Sequence, residues 1–195
     1  MPRKISTKEK IISETLKLAE TMPWQKITKG DIAKAAKVNA SIIEKYFSSK
    51  LLILDDFNRQ LDKQLIKDFS VIDKSGSIRE QLFEILMLRF DAMNKYKIAL
   101  KSIYKGTIPF DPLASARGLK NLMNTMEVAL NLIAIPTGTP TGCLKTKVLG
   151  AIFFRSFLTW LGDNSPDMAN TMAKLDNDLA KAEEFSKKLF SPINA

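Results

Sequence analysis

Apolar residues recur at helical spacing along most of the chain. In the first segment they fall at Ile11, Ile12 and Leu16, which places them on one face of a helix. Ser6 and Glu9 precede this stripe with the spacing of a capping box, in which each side chain bonds the other residue's backbone N–H. Nowhere does the chain sustain the apolar–polar alternation that is typical of a half-buried strand. The pattern therefore predicts an all-α protein.

Capping residues divide the pattern into successive helices. Pro23 lies just past the first helix, Thr28 can cap a second, and Asn39 can cap a third, short one. Ser48 or Ser49 begins a fourth, longer helix. Further helices are predicted at 77–93, 95–105, 112–134, 143–163 and 166–189.

Two clusters of turn residues separate these helices into larger parts. The first is DKSGS at 73–77, and the second is PTGTPTG at 136–142. We take the first cluster as the main boundary of the chain. The predicted organisation is a head at 1–50, a connecting helix and turn at 51–75, and a helical body for ligand binding and dimerisation at 76–190.

The charge of the chain is basic and unevenly distributed. The 195 residues carry a formal net charge of +9. Residues 1–54 hold 11 Lys or Arg against 5 Asp or Glu, whereas residues 55–195 hold 19 against 16. A concentrated basic excess favours a phosphate-rich partner, either nucleic acid or an anionic membrane surface. A solvated lysine-rich face without a partner is the third interpretation.

Composition narrows the chemistry that the protein can perform. It contains no histidine, which removes the commonest general base and the commonest metal ligand. The single cysteine, Cys143, allows no internal disulfide and fits a reducing compartment. We predict no catalytic residue, no metal site and no cofactor, and therefore a protein that is not an enzyme.

The sequence shows no segment that would carry the chain into a membrane. No stretch reaches the roughly 20 apolar residues that a spanning helix needs, and MPRKISTKEK lacks the apolar core of a secretory signal. We expect a cytoplasmic protein. The basic segment FSKKLF at 185–190 can be a peripheral contact with the inner face of the membrane or an ordinary helix end.

Residues 27–47 have the spacing of a helix–turn–helix. The second helix starts about three residues after the first ends, and the small Ala35 and Ala36 let the two cross closely. The head here resembles the N-terminal domain of the TetR family of transcriptional regulators. The features that carry the resemblance are Ile12, Leu16, Trp24 before Ile27 and Thr28, the segment DIAKAA, Val38, the pair Tyr46–Phe47, and Ser49–Lys50 before Leu51 and Leu52.

The resemblance implies a way of binding duplex DNA. In TetR-family regulators the third helix enters the major groove, and the lysine at the start of the fourth touches phosphate. The positions implied to lie near bases or backbone are Asn39, Ala40, Ser41 and Lys45. The positions implied to contact phosphates are Thr28, Lys29, Tyr46 and Lys50.

Two positions depart from the TetR pattern. Lys37 stands where the family usually has glycine, because the turn often needs a positive φ, and a lysine there costs about 1 kcal/mol. Glu44 stands where the family commonly has a tyrosine that contacts phosphate. We expect Glu44 either to weaken DNA binding by repelling phosphate, or to turn away and pair with Lys45 or Lys37.

The body carries a second resemblance. An acidic turn, DNSPD, separates two long helices, and LMLRFDAMNKYKIALKSI forms an earlier helix pair. The residues that match are Trp160, Leu161, Asp163, Ser165, Pro166, Asp167, Thr171, Leu175 and Leu179. Together they resemble the C-terminal domain of the ninth ubiquinone-biosynthesis (Coq) protein and its bacterial relatives.

The second resemblance implies both a fold and partners. Members of that family have a TetR-like fold, dimerise through their last helices, bind isoprenoid-type lipid in a helical cavity, and support ubiquinone synthesis without catalysing a step. It therefore implies a homodimer that binds an isoprenoid or other hydrophobic lipid, with ubiquinone-pathway enzymes as partners. Asp163, Ser165, Pro166 and Asp167 are expected to form a structural turn, in which Ser165 or Asn164 caps the last helix and Pro166 occupies its first turn.

The body holds more apolar side chains than one buried stripe per helix requires. Methionine and aromatic side chains suit an adaptable apolar cavity, and an ordinary bundle core has the same composition. The candidate lining residues are Met87, Phe90, Leu100, Ile103, Tyr104, Leu122, Met123, Met126, Leu130, Phe153, Phe154, Phe157 and Trp160.

Two functions are consistent with these features. The first is a non-enzymatic lipid-binding accessory protein of ubiquinone biosynthesis. The alternative is a TetR-family DNA-binding regulator whose body senses a hydrophobic ligand. Both predict one all-α, TetR-like fold, with a three-helix helix–turn–helix head and a larger helical-bundle body.

Overall fold

The computed structural model describes residues 6–72, 75–108 and 110–190. All regular structure within these ranges is helical, which confirms the predicted all-α class. A 3₁₀ turn, Trp24–Lys26, joins the first two α-helices. The α-helices of the described residues are α1 (Thr7–Thr21), α2 (Lys29–Ala36), α3 (Ala40–Tyr46), α4 (Lys50–Phe69), α5 (Ile78–Asn94), α6 (Lys97–Thr107), α7 (Pro112–Leu132), α8 (Pro140–Gly162) and α9 (Ala169–Phe190).

Local capping explains where the first two helices begin. The predicted box of Ser6 and Glu9 is confirmed, since Ser6 Oγ accepts from the Glu9 N–H at 3.2 Å and Glu9 accepts from the Ser6 N–H at 2.9 Å. Thr28 caps α2 as predicted, in a second box with Asp31. α8 begins at Pro140, three residues before the predicted start, because Thr139 caps it and proline suits a first helical position.

The chain divides into two compact units. Unit 1 consists of the described residues up to Leu61 together with Met93–Asn121. Within it α1 packs against both α2 and α6. A Cβ atom on Gly106 of α6 would lie 2.9 Å from Gln25 Oε1 and 3.0 Å from Trp24 Cβ, so glycine allows α6 to approach the 3₁₀ turn. The predicted boundaries at residues 50 and 75 stay a prediction.

Unit 2 consists of Asp62–Ala92 and the described residues from Leu122 onward, and α8 packs on α9 within it. Its core includes an aromatic cluster in which the Phe90 ring stacks on Phe153, with centroids 4.8 Å apart. Trp160 lies 5.9 Å from Phe90, between ring centroids. Such offset and tilted contacts add to the free energy of burial.

A buried ion pair also lies in unit 2. Arg89 of α5, only 3% exposed, meets Asp62 of α4 with 2.9 Å between Nη1 and Oδ1, and Thr125 of α7 donates to the same carboxylate at 2.9 Å. Burial raises the pKa of the Asp62 carboxyl, and Arg89 and Thr125 offset this only in part. Burial likewise lowers the pKa of Arg89 to about 10, so the guanidinium stays charged at neutral pH.

One carboxylate organises the turn before α9. Asp163 is buried and accepts from Ser165 N and Oγ at 3.1 and 2.6 Å. It also accepts from Thr171 N and Oγ1 at 2.9 and 2.7 Å, and from Asn170 Nδ2 at 3.2 Å. Burial alone raises the pKa of this carboxyl, but the hydrogen bonds from Ser165 and Thr171 outweigh it and hold the pKa well below the ordinary 3.8.

The predicted start of α9 is wrong by three residues. The helix begins at Ala169, because Met168 takes a φ of 53°, which an α-helix does not accommodate. Ser165 is not the residue that directly precedes the helix, but its Oγ accepts from the first N–H of the helix, that of Ala169, at 2.8 Å. Pro166 and Asp167 consequently lie in the turn before α9 and not in its first turn.

We expect Asp163→Asn to lower the free energy of unfolding at pH 7 by about 1–3 kcal/mol, because an amide cannot accept every bond that the carboxylate accepts. The folded-state pKa is depressed, so the contribution of Asp163 is present above the unfolded-state value near 3.8 and is lost as the pH falls below it. Urea unfolding at pH 7 and pH 3 measures both effects.

The exposed Asp167 supplies the control, since Asp167→Asn removes the same charge four residues away. This variant should change stability by less than about 0.5 kcal/mol. Equal losses in both variants would contradict a specific role for Asp163.

Candidate nucleic-acid interface and apolar cluster

The turn between α2 and α3 has the backbone conformation that the sequence predicted. Lys37 takes φ 51° and ψ 50°, the left-handed region where the sequence pattern calls for glycine. Its N–H donates to the Lys34 carbonyl at 3.1 Å, and the Val38 N–H donates to the Ala33 carbonyl at 3.0 Å. This pair of bonds is a Schellman motif, which ends α2 and directs the chain into α3.

The candidate DNA-contacting face of α3 is exposed. Ile43 is fully buried and anchors the helix, and Phe47 is buried beyond its end. Tyr46, next to Phe47, is 42% exposed, so the aromatic pair divides between surface and core. The candidate residues that the structure places on the surface of unit 1 are Thr28, Asn39, Ala40, Ser41, Lys45 and Tyr46. Their contacts with DNA stay a prediction.

Glu44 pairs with neither of its expected partners. Its carboxylate forms an ion pair with Lys29 of α2 instead of Lys45 or Lys37. Lys29 Nζ also donates to the Ser48 carbonyl at 3.2 Å. Lys29, a predicted phosphate contact, is thus bonded to a carboxylate and a carbonyl. Both groups compete with phosphate for the N–H donors of Lys29.

The Lys50 side chain bonds backbone groups of unit 1, and its expected contact with phosphate stays a prediction. Its Nζ donates to the carbonyl oxygens of Trp24 at 2.9 Å and Ile27 at 2.6 Å. The same ammonium lies 4.6 Å from the centroid of the Trp24 ring, within the range of a cation–π contact. Burial lowers the pKa of Lys50. In this arrangement the side chain stabilises the 3₁₀ turn.

The candidate lipid-pocket residues divide between the two units. Leu100, Ile103 and Tyr104 belong to α6 in unit 1, and the other ten belong to unit 2; their role as a lipid pocket stays a prediction. Those of unit 2 that are buried are Met87, Phe90, Met126, Leu130, Phe153 and Trp160. Leu122, Met123 and Phe157 are half-buried, and Phe154 is exposed.

Sequence reasoning missed polar groups in the core of unit 2, among them the Asp62–Arg89 pair and Ser156, which has no exposed surface. The available signal was a charge or hydroxyl inside an apolar stripe, as in LMLRF and FFRSF.

Among the described residues, no group of three or more Cys, Asp or Glu could hold a metal ion. No helix in the described ranges is long and apolar enough to cross a membrane.

No protein-family model and no curated protein matches the chain. Solved structures do match it. The TetR transcriptional regulator of Nitrosomonas europaea has a TM-score of 0.77 at 17% identity, over 92% of this chain and 99% of its own. A TetR-family regulator of Streptomyces coelicolor has 0.63 at 16%, over 94% and 82%.

A third similar structure is Thermus thermophilus FadR, a TetR-family repressor in complex with lauroyl-CoA. Its TM-score is 0.62 at 17% identity, over 91% of this chain and 93% of its own. At such identities these matches establish the fold, and the predicted TetR-like fold is confirmed. The resemblance to the ubiquinone-biosynthesis family finds no support among the matches and stays a prediction.

We expect Lys50→Met to lower the free energy of unfolding by about 1–3 kcal/mol, because two carbonyl groups lose their donor. Lys45→Met is the matched control, since Lys45 is exposed, and it should cost less than about 0.5 kcal/mol. Urea unfolding followed by circular dichroism measures both variants. Equal stability of the Lys50 variant and the wild type would show that the ammonium does not stabilise the turn.

Proposed function

We propose that the protein is a DNA-binding transcriptional regulator of the TetR type, in which unit 1 binds duplex DNA and unit 2 senses an apolar ligand. The observation that carries this proposal is the exposed face of α3. Ser41 and Lys45 lie on it at helical spacing, while Ile43 is buried on the other side and fixes the helix to unit 1. A short helix held in this way is suited to enter a major groove.

The electrostatics of unit 1 support binding of moderate strength. Lys34, Lys37 and Lys45 are exposed close to α3 and can meet phosphates. Lys29 is engaged by Glu44, and Lys50 by backbone carbonyls. Unit 1 thus has a basic surface, but two of its candidate phosphate contacts, Lys29 and Lys50, are bonded to groups of the protein itself.

The composition of unit 2 supports the ligand-sensing half of the proposal. Its core includes Phe90 in contact with both Phe153 and Trp160, which suits an apolar molecule. One protein of the same fold is a repressor that binds lauroyl-CoA, and this favours a ligand with a long chain. The proposed activity is binding alone, and a chain without histidine suits that role.

We further propose that the regulator is a homodimer through α8 and α9. Exposed apolar residues follow α8 at intervals of three or four positions, which makes a continuous stripe. They are Leu144, Val148, Ala151, Phe154 and Leu158. A second copy can bury this stripe in a four-helix interface.

A gel shift with duplex DNA from upstream of the protein's own gene tests the DNA-binding half. We expect a specific complex that weakens as salt rises. Glu44→Gln should tighten it about two- to fivefold, because the change frees Lys29 and removes a negative charge. Lys45→Ala should weaken it and reduce its salt slope by about one phosphate contact.

Glu184→Gln is the control for the Glu44 variant, because it makes the same charge change on an exposed site of α9. It should leave the gel shift unchanged. Absence of any specific complex at low salt, in the wild type and in Glu44→Gln alike, would refute DNA binding.

The second candidate function is that of a non-enzymatic lipid-binding accessory protein of ubiquinone biosynthesis. The engagement of Lys29 and Lys50 inside unit 1 favours it, because fewer cations remain for phosphate. Native mass spectrometry with lipid extraction distinguishes the two functions. A copurified isoprenoid together with no specific gel shift would support the accessory role, with ubiquinone-pathway enzymes as partners.

Leu158→Glu should convert the dimer into a monomer of 21.9 kDa, because it places a charge in the apolar stripe. Sedimentation velocity measures the change. Leu119→Glu, on an exposed site of α7 in unit 1, is the matched control and should leave the dimer intact. A wild type that sediments as a monomer at micromolar concentration would contradict the proposed interface.

A further inference from the structure

A buried hydroxyl in unit 2 has no visible use within the protein. Ser156 lies on α8 with no exposed surface, and its Oγ has no hydrogen-bond partner among the described residues. Burying a hydroxyl without a partner is costly, so native structures seldom retain one without a reason. A bound molecule that supplies the missing partner is such a reason.

Two aromatic residues of α8 lie on the same side of the helix as Ser156. Phe153 lies three residues before Ser156 and Trp160 four residues after it, so all three share a face of α8. Phe90 of α5 contacts both rings, with centroid distances of 4.8 Å to Phe153 and 5.9 Å to Trp160. Ser156 thus places a polar group on a helix face that otherwise carries aromatic side chains.

A movable side chain, that of Met123, packs against α8 at Gly150. Gly150 carries no side chain, and the terminal methyl group of Met123 occupies the position that a Cβ there would need. Met123 is only half-buried, and methionine has three rotatable side-chain bonds and adapts readily to a ligand. Rotation of Met123 away from Gly150 would open room beside the aromatic cluster.

We propose that the cluster of Phe90, Phe153 and Trp160 binds a long-chain molecule with one neutral hydrogen-bonding oxygen, and that Ser156 bonds that oxygen. This inference rests on the ligand-sensing function proposed for unit 2 and names the class of ligand. The alkyl chain lies along the rings, and the displaced Met123 leaves room for it over Gly150.

The chemistry of the lining selects a neutral group. An ionised head group placed among phenylalanine and tryptophan rings would lose its hydration, and a single hydroxyl does not compensate for that loss. The cations next to these residues in the sequence, Arg89 and Arg155, are already paired with Asp62 and Asp178. Alcohols, ketones and esters therefore fit the cluster better than carboxylates.

Calorimetric titration of the full-length chain with decan-1-ol and with decanoate tests the inference. Wild type should bind decan-1-ol more tightly than decanoate, and Ser156→Ala should weaken the binding of decan-1-ol by about tenfold. Thr159→Ala is the control, because the Thr159 hydroxyl already has a partner within the protein, the Arg155 carbonyl at 3.4 Å, and it should have no effect.

A second measurement needs no ligand. Ser156→Ala removes the unsatisfied hydroxyl and should raise the melting temperature of the ligand-free protein. Unchanged affinity for decan-1-ol in this variant, tighter binding of decanoate, or no binding of decan-1-ol to the wild type would each overturn the inference. Because the titration contains no DNA, such a failure is separate from a negative gel shift, which bears on DNA binding alone.

Discussion

Unit 1 depends on the ammonium group of Lys50. It donates hydrogen bonds to two carbonyl oxygens, those of Trp24 and Ile27, and lies against the Trp24 ring. These carbonyls belong to the 3₁₀ turn and the residue after it, which connect α1 to α2, while Lys50 is the first residue of α4. One side chain therefore joins the start of α4 to the entry into α2. The position of the helix–turn–helix follows from that connection, because Thr28, the cap of α2, comes directly after Ile27.

The lysines of unit 1 divide between those that bond groups of the protein itself and those that are exposed to solvent. Affinity for a nucleic acid comes largely from cations that can release counterions from phosphates. Lys50 and Lys29 use their charge within unit 1, on carbonyl groups and on the Glu44 carboxylate. Lys34, Lys37 and Lys45 remain exposed. Under the proposed function, this use of two lysines within unit 1 would make DNA binding weaker than the lysine content alone suggests.

Polar groups in the core of unit 2 fall into two kinds. Asp163 accepts five hydrogen bonds and holds the turn between α8 and α9, and Asp62 is matched by Arg89 and Thr125. Satisfied groups of this kind favour one packing of the helices over others. Ser156 is different, because its hydroxyl lacks a partner among the described residues. A core with one unmatched hydroxyl amid aromatic rings is suited to a ligand that completes it.

Local sequence determined the features whose partners lie within a few residues. The capping boxes at Ser6 and Thr28 could be predicted, because each depends on a span of four residues, whereas the positive φ at Lys37 was implied by the resemblance to TetR-family regulators. The exposed α3 followed from the same local spacing. The helical class and the TetR-like fold were likewise readable from periodicity and resemblance.

Tertiary structure decided where the long side chains go. Lys50 bonds residues 26 and 23 positions earlier, and Glu44 meets Lys29 across 15 positions, so neither partner follows from spacing along a helix. The start of α9 depends on a carboxylate eight residues from Thr171. Whether an apolar side chain lines a pocket or fills a core depends on which helices meet around it. Sequence periodicity defines the buried face of each helix, but only packing decides what that face touches.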